Sequence, residues 1–140
     1  MKKMPYKRQA LSYGDYSYML PACPEYGIQR DLYFTGRLCI ERKAHLEELS
    51  GNLGQKREQF ENEFRRAGNA KIIIMIERGN LSDIYYHKYR TELSEKAYIA
   101  SVMAFRYRYD IDVDFIDIGN AGAFIYQNCY YQCREYLKGQ

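Results

Sequence analysis

The chain has 140 residues, 46% of them apolar and 28% charged, which fits one globular domain and excludes a disordered one. A formal charge of +3 and a pI near 8.6 permit an anionic partner without requiring one. No run approaches the ~18 apolar residues of a membrane helix, and the basic opening Met1-Lys2-Lys3-Met4-Pro5-Tyr6-Lys7-Arg8 leads into no apolar stretch, so neither a membrane span nor a secretory signal is expected.

Sixteen tyrosines, six phenylalanines and no tryptophan give the chain its aromatic content. So much tyrosine requires either hydrogen-bonded hydroxyls in the core or rings on a surface that touches something. Of the cysteines, Cys23, Cys39, Cys129 and Cys133, only the last two are close, and one short spacing without a counterpart is not a zinc pattern. They read as reduced thiols of a protein in the cytoplasm.

Taken in order, residues 5–20 alternate as an extended segment bent at Tyr13-Gly14. Pro21, Pro24 and Gly27 open a long loop. Residues 37–42 form the next strand, and residues 44–49 a short helix that Ser50-Gly51-Asn52 and Gly54 interrupt. A firmer helix covers 55–67, with Phe60, Phe64 and Ala67 on one face and Gly68-Asn69 as its stop. Residues 71–77 are apolar on both faces, as in a central strand covered on two sides. A short helix follows at 82–87, and a longer one capped by Ser94 carries Tyr98, Val102 and Phe105 at helical spacing. Residues 111–115 alternate as a half-buried strand, and Asn120 caps a last helix reaching about residue 137. Strands first, then helices alternating with strands, predict an α/β fold with a mixed sheet flanked by helices.

Chemistry concentrates at Glu41-Arg42-Lys43, where a strand ends. Residues i and i+2 of a strand share a face, so Glu41 and Lys43 project together while Arg42 points away. A carboxylate beside a lysine suits metal-assisted phosphodiester hydrolysis. Glu41 would hold a hard cation through oxygen, and Lys43 would position the attacking water and offset transition-state charge. A hairpin would bring Asp15, just after the Gly14 bend, opposite Glu41 as a second carboxylate. Taken alone, an acid-x-Lys triplet is also an ordinary solvated strand end.

The longer pattern is more specific. Gly14-Asp15-Tyr16, Ile40-Glu41-Arg42-Lys43, Leu46-Glu47-Glu48-Leu49, Arg57 and Phe60-Glu61-x-Glu63-Phe64 follow one another in order. Together they resemble the XPF-type nuclease domain of the PD-(D/E)xK, restriction-endonuclease-like superfamily, and its small phage and prophage members in particular. The resemblance spans residues 5–137 and implies one nuclease domain over 1–140 with a restriction-endonuclease-like core. It implies a Mg²⁺-dependent DNA endonuclease (Mn²⁺ serving in its place) that cuts branched, flapped or single-strand-containing DNA in a bacterial host cell. Asp15 and Glu41 match the metal ligands, Lys43 the catalytic lysine and Arg42 the family arginine. The last acidic position of the motif falls on Glu47, one methylene longer than the usual aspartate. The family also opens with a strand bearing Asp-x-Arg-Glu and a helix, for which the residues before Pro5 leave no room. The alternative is therefore an inactive DNA-binding or protein-interaction relic of the fold. An uncovered sheet edge also predicts a homodimer.

Other residues keep two readings. Arg57, where the family also has an arginine, either faces the site or forms a structural ion pair. Asp112 and Asp114 read as the wet face of a strand more readily than as a second metal site. His45 and His87 follow no ligand spacing. The tyrosines after Tyr98, interleaved with Arg106, Arg108 and Arg134, either stack on bases or bury their rings with hydroxyls at the rim.

Overall fold

Three apolar runs pair side by side into one parallel sheet. They are β3 (Leu38–Lys43), β4 (Lys71–Ile76) and β5 (Ile111–Phe115), in the order β3-β4-β5. This computed structural model describes residues 5–139 of the chain. Register sets Cys39, Glu41 and Lys43 beside Ile72, Ile74 and Ile76, and Ile72 and Ile74 beside Ile111 and Val113. Parallel neighbours require crossovers, and helices supply them: α1 (Leu46–Leu53) and α2 (Arg57–Ala67) join β3 to β4, while α3 (Leu81–Tyr85) and α4 (Glu95–Tyr109) join β4 to β5. A last helix, α5 (Ala121–Lys138), follows a 3-10 turn at Ile118–Asn120.

The sheet is covered on both faces, which explains why β4 is apolar throughout. On one side Ile72, Ile74 and Ile76 pack with Leu46, Leu49, Leu53, Phe60, Phe64, Tyr98, Val102 and Phe105. Each of these side chains contributes roughly 1.5–3 kcal/mol by leaving water. The buried Tyr98 hydroxyl donates to the Leu46 carbonyl at 2.7 Å, so this phenol satisfies its own polar end. On the other side Leu38, Ile40, Ile73 and Met75 meet Tyr18, Phe124, Ile125 and Cys129, the last three from α5. No residue of α5 is fully buried, and Tyr126, Tyr130 and Tyr131 stand exposed on it.

Mixed α/β architecture is therefore as expected, but the sheet itself is not mixed. The antiparallel pairing lies apart, in a two-residue hairpin of β1 (Met19–Leu20) and β2 (Leu32–Tyr33). Residues 5–18 form no strand, and their one ladder bridge to β3 is Tyr16 to Ile40. A strand needs backbone pairing along its length, and here the other contacts with β3 run largely through side chains, such as Ser17 Oγ donating to the Leu38 carbonyl at 2.7 Å. The helix expected to break at Ser50-Gly51-Asn52 runs through them, because Leu46, Leu49 and Leu53 recur at helical spacing and are all buried. Asn120 does cap α5 by position, without a side-chain hydrogen bond. All four cysteines are free. Among the described residues no helix is long and apolar enough to cross a membrane. Residues 1–4, the first half of the basic opening, lie outside the described residues.

Candidate active site

Gly14 sets the geometry of the first carboxylate. Its φ is +74°, a conformation L side chains rarely adopt, and an added Cβ would sit 3.0 Å from Cys39 Cβ. The close approach lets the Asp15 and Tyr16 amides both donate to the Ile40 carbonyl, at 2.8 and 3.0 Å. Asp15 Oδ2 then accepts the Arg42 backbone N–H at 2.7 Å. Asp15 thereby stands against the end of β3 even though no long hairpin brings it there.

Glu41 and Lys43 project from the same side of β3, as period-two alternation requires, and Lys43 Nζ lies 3.4 Å from Glu41 Oε1. Lys43 is buried, its ammonium 5.0 Å from the Phe60 ring centroid on α2. Phe60 thus shields the amine from water and favours its charge through the ring face. Burial, then the neighbouring Asp15, pushes the Glu41 carboxyl up to about 7, with Lys43 opposing the rise and Glu63 adding to it. Asp15, Tyr16, Glu41, Arg42 and Glu48 line one open pocket of about 370 Å³. Lys43 is not on its wall and reaches Glu41 from beneath.

Of the remaining candidates Arg42 lines this pocket too, while Glu47 and Arg57 do not. Arg42 turns to the opposite side of β3 and is clamped by Glu77, with Nε and Nη2 donating to its two carboxylate oxygens at 2.6 and 2.9 Å. That pair ties the carboxyl ends of β3 and β4 together and holds the Glu77 carboxyl below its ordinary range. Glu47 faces away from the pocket. Its Oε2 accepts the Arg90 amide at 2.9 Å, and Oε1 lies 3.4 Å from His45 Nδ1. Glu48, one residue on, lines the pocket instead, and its Oε2 also accepts the Ala44 amide at 3.1 Å. Arg57 packs between α2 and α4. It donates to Ser101 Oγ at 2.8 Å, lies 3.4 Å from Glu61 and covers the Phe105 ring at 4.8 Å. Of its two readings, the structural one describes these contacts.

Tyr16, Glu48 and Glu77 are the participants not singled out beforehand. Glu77 had a legible signal, a carboxylate ending a strand otherwise apolar on both faces. His87 is satisfied by Glu95 at 3.3 Å and by stacking on Tyr89. Asp112 pairs with Lys71 at 3.0 Å, as a wet strand face does.

The donor set suits a hard cation. Asp15 Oδ1 and Glu41 Oε2 accept no hydrogen bond from the described residues, and both belong to the same pocket. Two carboxylates completed by water are a usual set for Mg²⁺, and positive charge would relieve the repulsion that raises Glu41. Among the described residues no group of three or more His, Cys, Asp or Glu gathers at metal-binding distance, so a cation here would rest on this pair. Comparison with models of protein families, with curated proteins and with solved structures finds no match to the chain.

Proposed function

We propose that the chain is a Mg²⁺-dependent DNA endonuclease of the XPF type, built on a restriction-endonuclease-like core, that hydrolyses phosphodiester bonds in branched or flapped DNA. The observation that carries this reading is the meeting of Asp15, Glu41 and Lys43 at the end of β3, with one oxygen of each carboxylate left unbonded and the lysine held under Glu41. Asp15 and Glu41 hold the cation. When bound, Mg²⁺ would polarise a phosphoryl oxygen and lower the pKa of a water it holds, making that water a better nucleophile once deprotonated.

The chain's own residues do the rest. Lys43, buried off the pocket wall and fixed by Glu41 and by the Phe60 ring, acts from beneath Glu41: it holds that carboxylate in place and its charge offsets the charge that builds as the phosphorus gains the water oxygen and loses the leaving oxygen. Burial on the α2 side means little reorganisation when that charge develops. Arg42 acts as a positioning residue. Its backbone amide holds Asp15, and its guanidinium, bound to Glu77, ties the end of β3 that carries Glu41 to the end of β4.

Incubation with a flapped DNA duplex tests the proposal. Cleavage should require Mg²⁺ or Mn²⁺ and stop with a chelator, while Ca²⁺ supports binding without turnover. Undiminished cleavage in a chelator, or none at any Mg²⁺ concentration, contradicts it.

A further inference from the structure

A second, larger cleft opens at the same end of the sheet as the Asp15–Glu41 pocket. It encloses about 530 Å³ and is lined by His45, Glu47, Arg78, Asp83, Lys88 and Arg90, with Leu46 and Gly79 beneath. The cleft lies just past the carboxyl ends of β3 and β4, where ligands of parallel sheets commonly bind. Glu77, which precedes Arg78, donates its amide to the Lys43 carbonyl at 3.0 Å, so the paired ends of β3 and β4 join the two sites.

Its charge is unbalanced. Both carboxylates are engaged: Glu47 by the Arg90 amide, and Asp83 by the Asn80 amide at 3.2 Å in a capping box. The side chains of Arg78, Lys88 and Arg90 make no ion pair or hydrogen bond among the described residues, and all three are exposed. Three cations without a hydrogen-bonded partner thus face two carboxylates, an excess of one positive charge, and Arg90 and Arg78 help to lower the carboxyls of Glu47 and Glu77.

The backbone holds them in place. Gly79 has a φ of +116°, and a Cβ there would fall 2.6 Å from Leu46 Cγ. Only glycine lets the segment after β4 lie on the start of α1. Glu47 fixes the loop after α3 to the same helix through Arg90. Arg78 from one segment and Lys88 and Arg90 from the other thus share one cleft.

We infer that this cleft carries the phosphodiester backbone of the DNA duplex flanking the cut, with Arg78, Lys88 and Arg90 as its phosphate contacts. The inference rests on the nuclease reading and adds to it the path of the bound strand. Guanidinium forks and a mobile ammonium are the groups that hold phosphate oxygens. Since such contacts release counterions, they set the salt dependence of binding.

The test is fluorescence anisotropy of a labelled DNA duplex in Ca²⁺ across a salt series. Arg78→Gln, Lys88→Gln and Arg90→Gln together should weaken binding on the order of 10- to 100-fold and flatten the slope of log affinity against log salt by about 2 to 3. The charge-keeping pair Arg78→Lys and Arg90→Lys should retain most of the affinity. Should the triple variant melt early, each single exposed variant should still lower the slope by about 1. If wild type binds duplex while the variants match its affinity and slope, the cleft is not the DNA path and the nuclease reading stands. If wild type binds no duplex even at low salt, this inference fails, while the nuclease reading is decided separately by cleavage of the flapped duplex.

Discussion

The Asp15 carboxylate accepts the backbone N–H of Arg42 at 2.7 Å, which fixes a loop residue against the strand that carries Glu41 and Lys43. One oxygen does structural work and the other stays unbonded toward the pocket. Asp15→Ala should lose about 1 kcal/mol of stability, since the bond is charge-assisted but exposed. Asp15→Asn keeps an acceptor and should lose less. Both should abolish cleavage. Urea melts and a cleavage assay on the same preparations check this, and an Asn variant that cuts normally would remove Asp15 from the chemistry.

Glu41 makes stability depend on pH. Its carboxyl is raised from 4.5 to about 7 in the folded chain. Below pH ~4.5 both states hold the proton and the group contributes no penalty. As pH rises from there to about 7 the unfolded chain ionises first, so stability falls across that window and then levels. Without divalent cations, wild type should lose roughly 1–3 kcal/mol relative to Glu41→Gln between pH 4 and pH 8. Mg²⁺ should restore part of this loss in wild type and none in the variant. Parallel melting curves for the two proteins at every pH would contradict the placement of Glu41.

Arg57 should matter to stability rather than to cleavage. Arg57→Met keeps the stem over Phe105 but loses the bond to Ser101 and the pairing with Glu61. About 1 kcal/mol of destabilisation is expected. A variant that is folded, equally stable and inactive would return Arg57 to the site.

Gly14→Ala tests the turn that delivers Asp15. The substitution forces a side chain into a left-handed backbone against Cys39, at a cost of about 1–2 kcal/mol. Cleavage should fall with it because Asp15 shifts. A fully stable, fully active variant would show that the turn is not needed.

Much of the framework was legible because its signals are local. Ile72 to Ile76 are apolar on both faces, and Phe60 with Phe64, or Tyr98 with Val102 and Phe105, repeat at helical spacing. The juxtaposition of Glu41 and Lys43 follows from strand alternation alone. What was not legible depends on tertiary contacts. Residues 5–18 have strand-like alternation, yet only Tyr16 forms a ladder bridge with β3. Glu47 and Glu48 differ by one helical step, and the start of α1, capped by His45 accepting the Glu48 amide, decides which one faces the pocket. The inward side of Arg57 was readable, but its destination on α4 required knowing where α4 packs.

The most direct test of the central claim is the cleavage rate of a flapped DNA duplex in Mg²⁺ by wild type, Lys43→Ala and Glu41→Gln, each shown to be folded by its thermal melt. The account predicts metal-dependent cutting by wild type and loss of at least about 100-fold in each variant, the range expected when a charge that supports the transition state or a metal ligand is removed. Cutting by either folded variant at the wild-type rate would show that the Glu41–Lys43 pair at the end of β3 is not where the chemistry occurs.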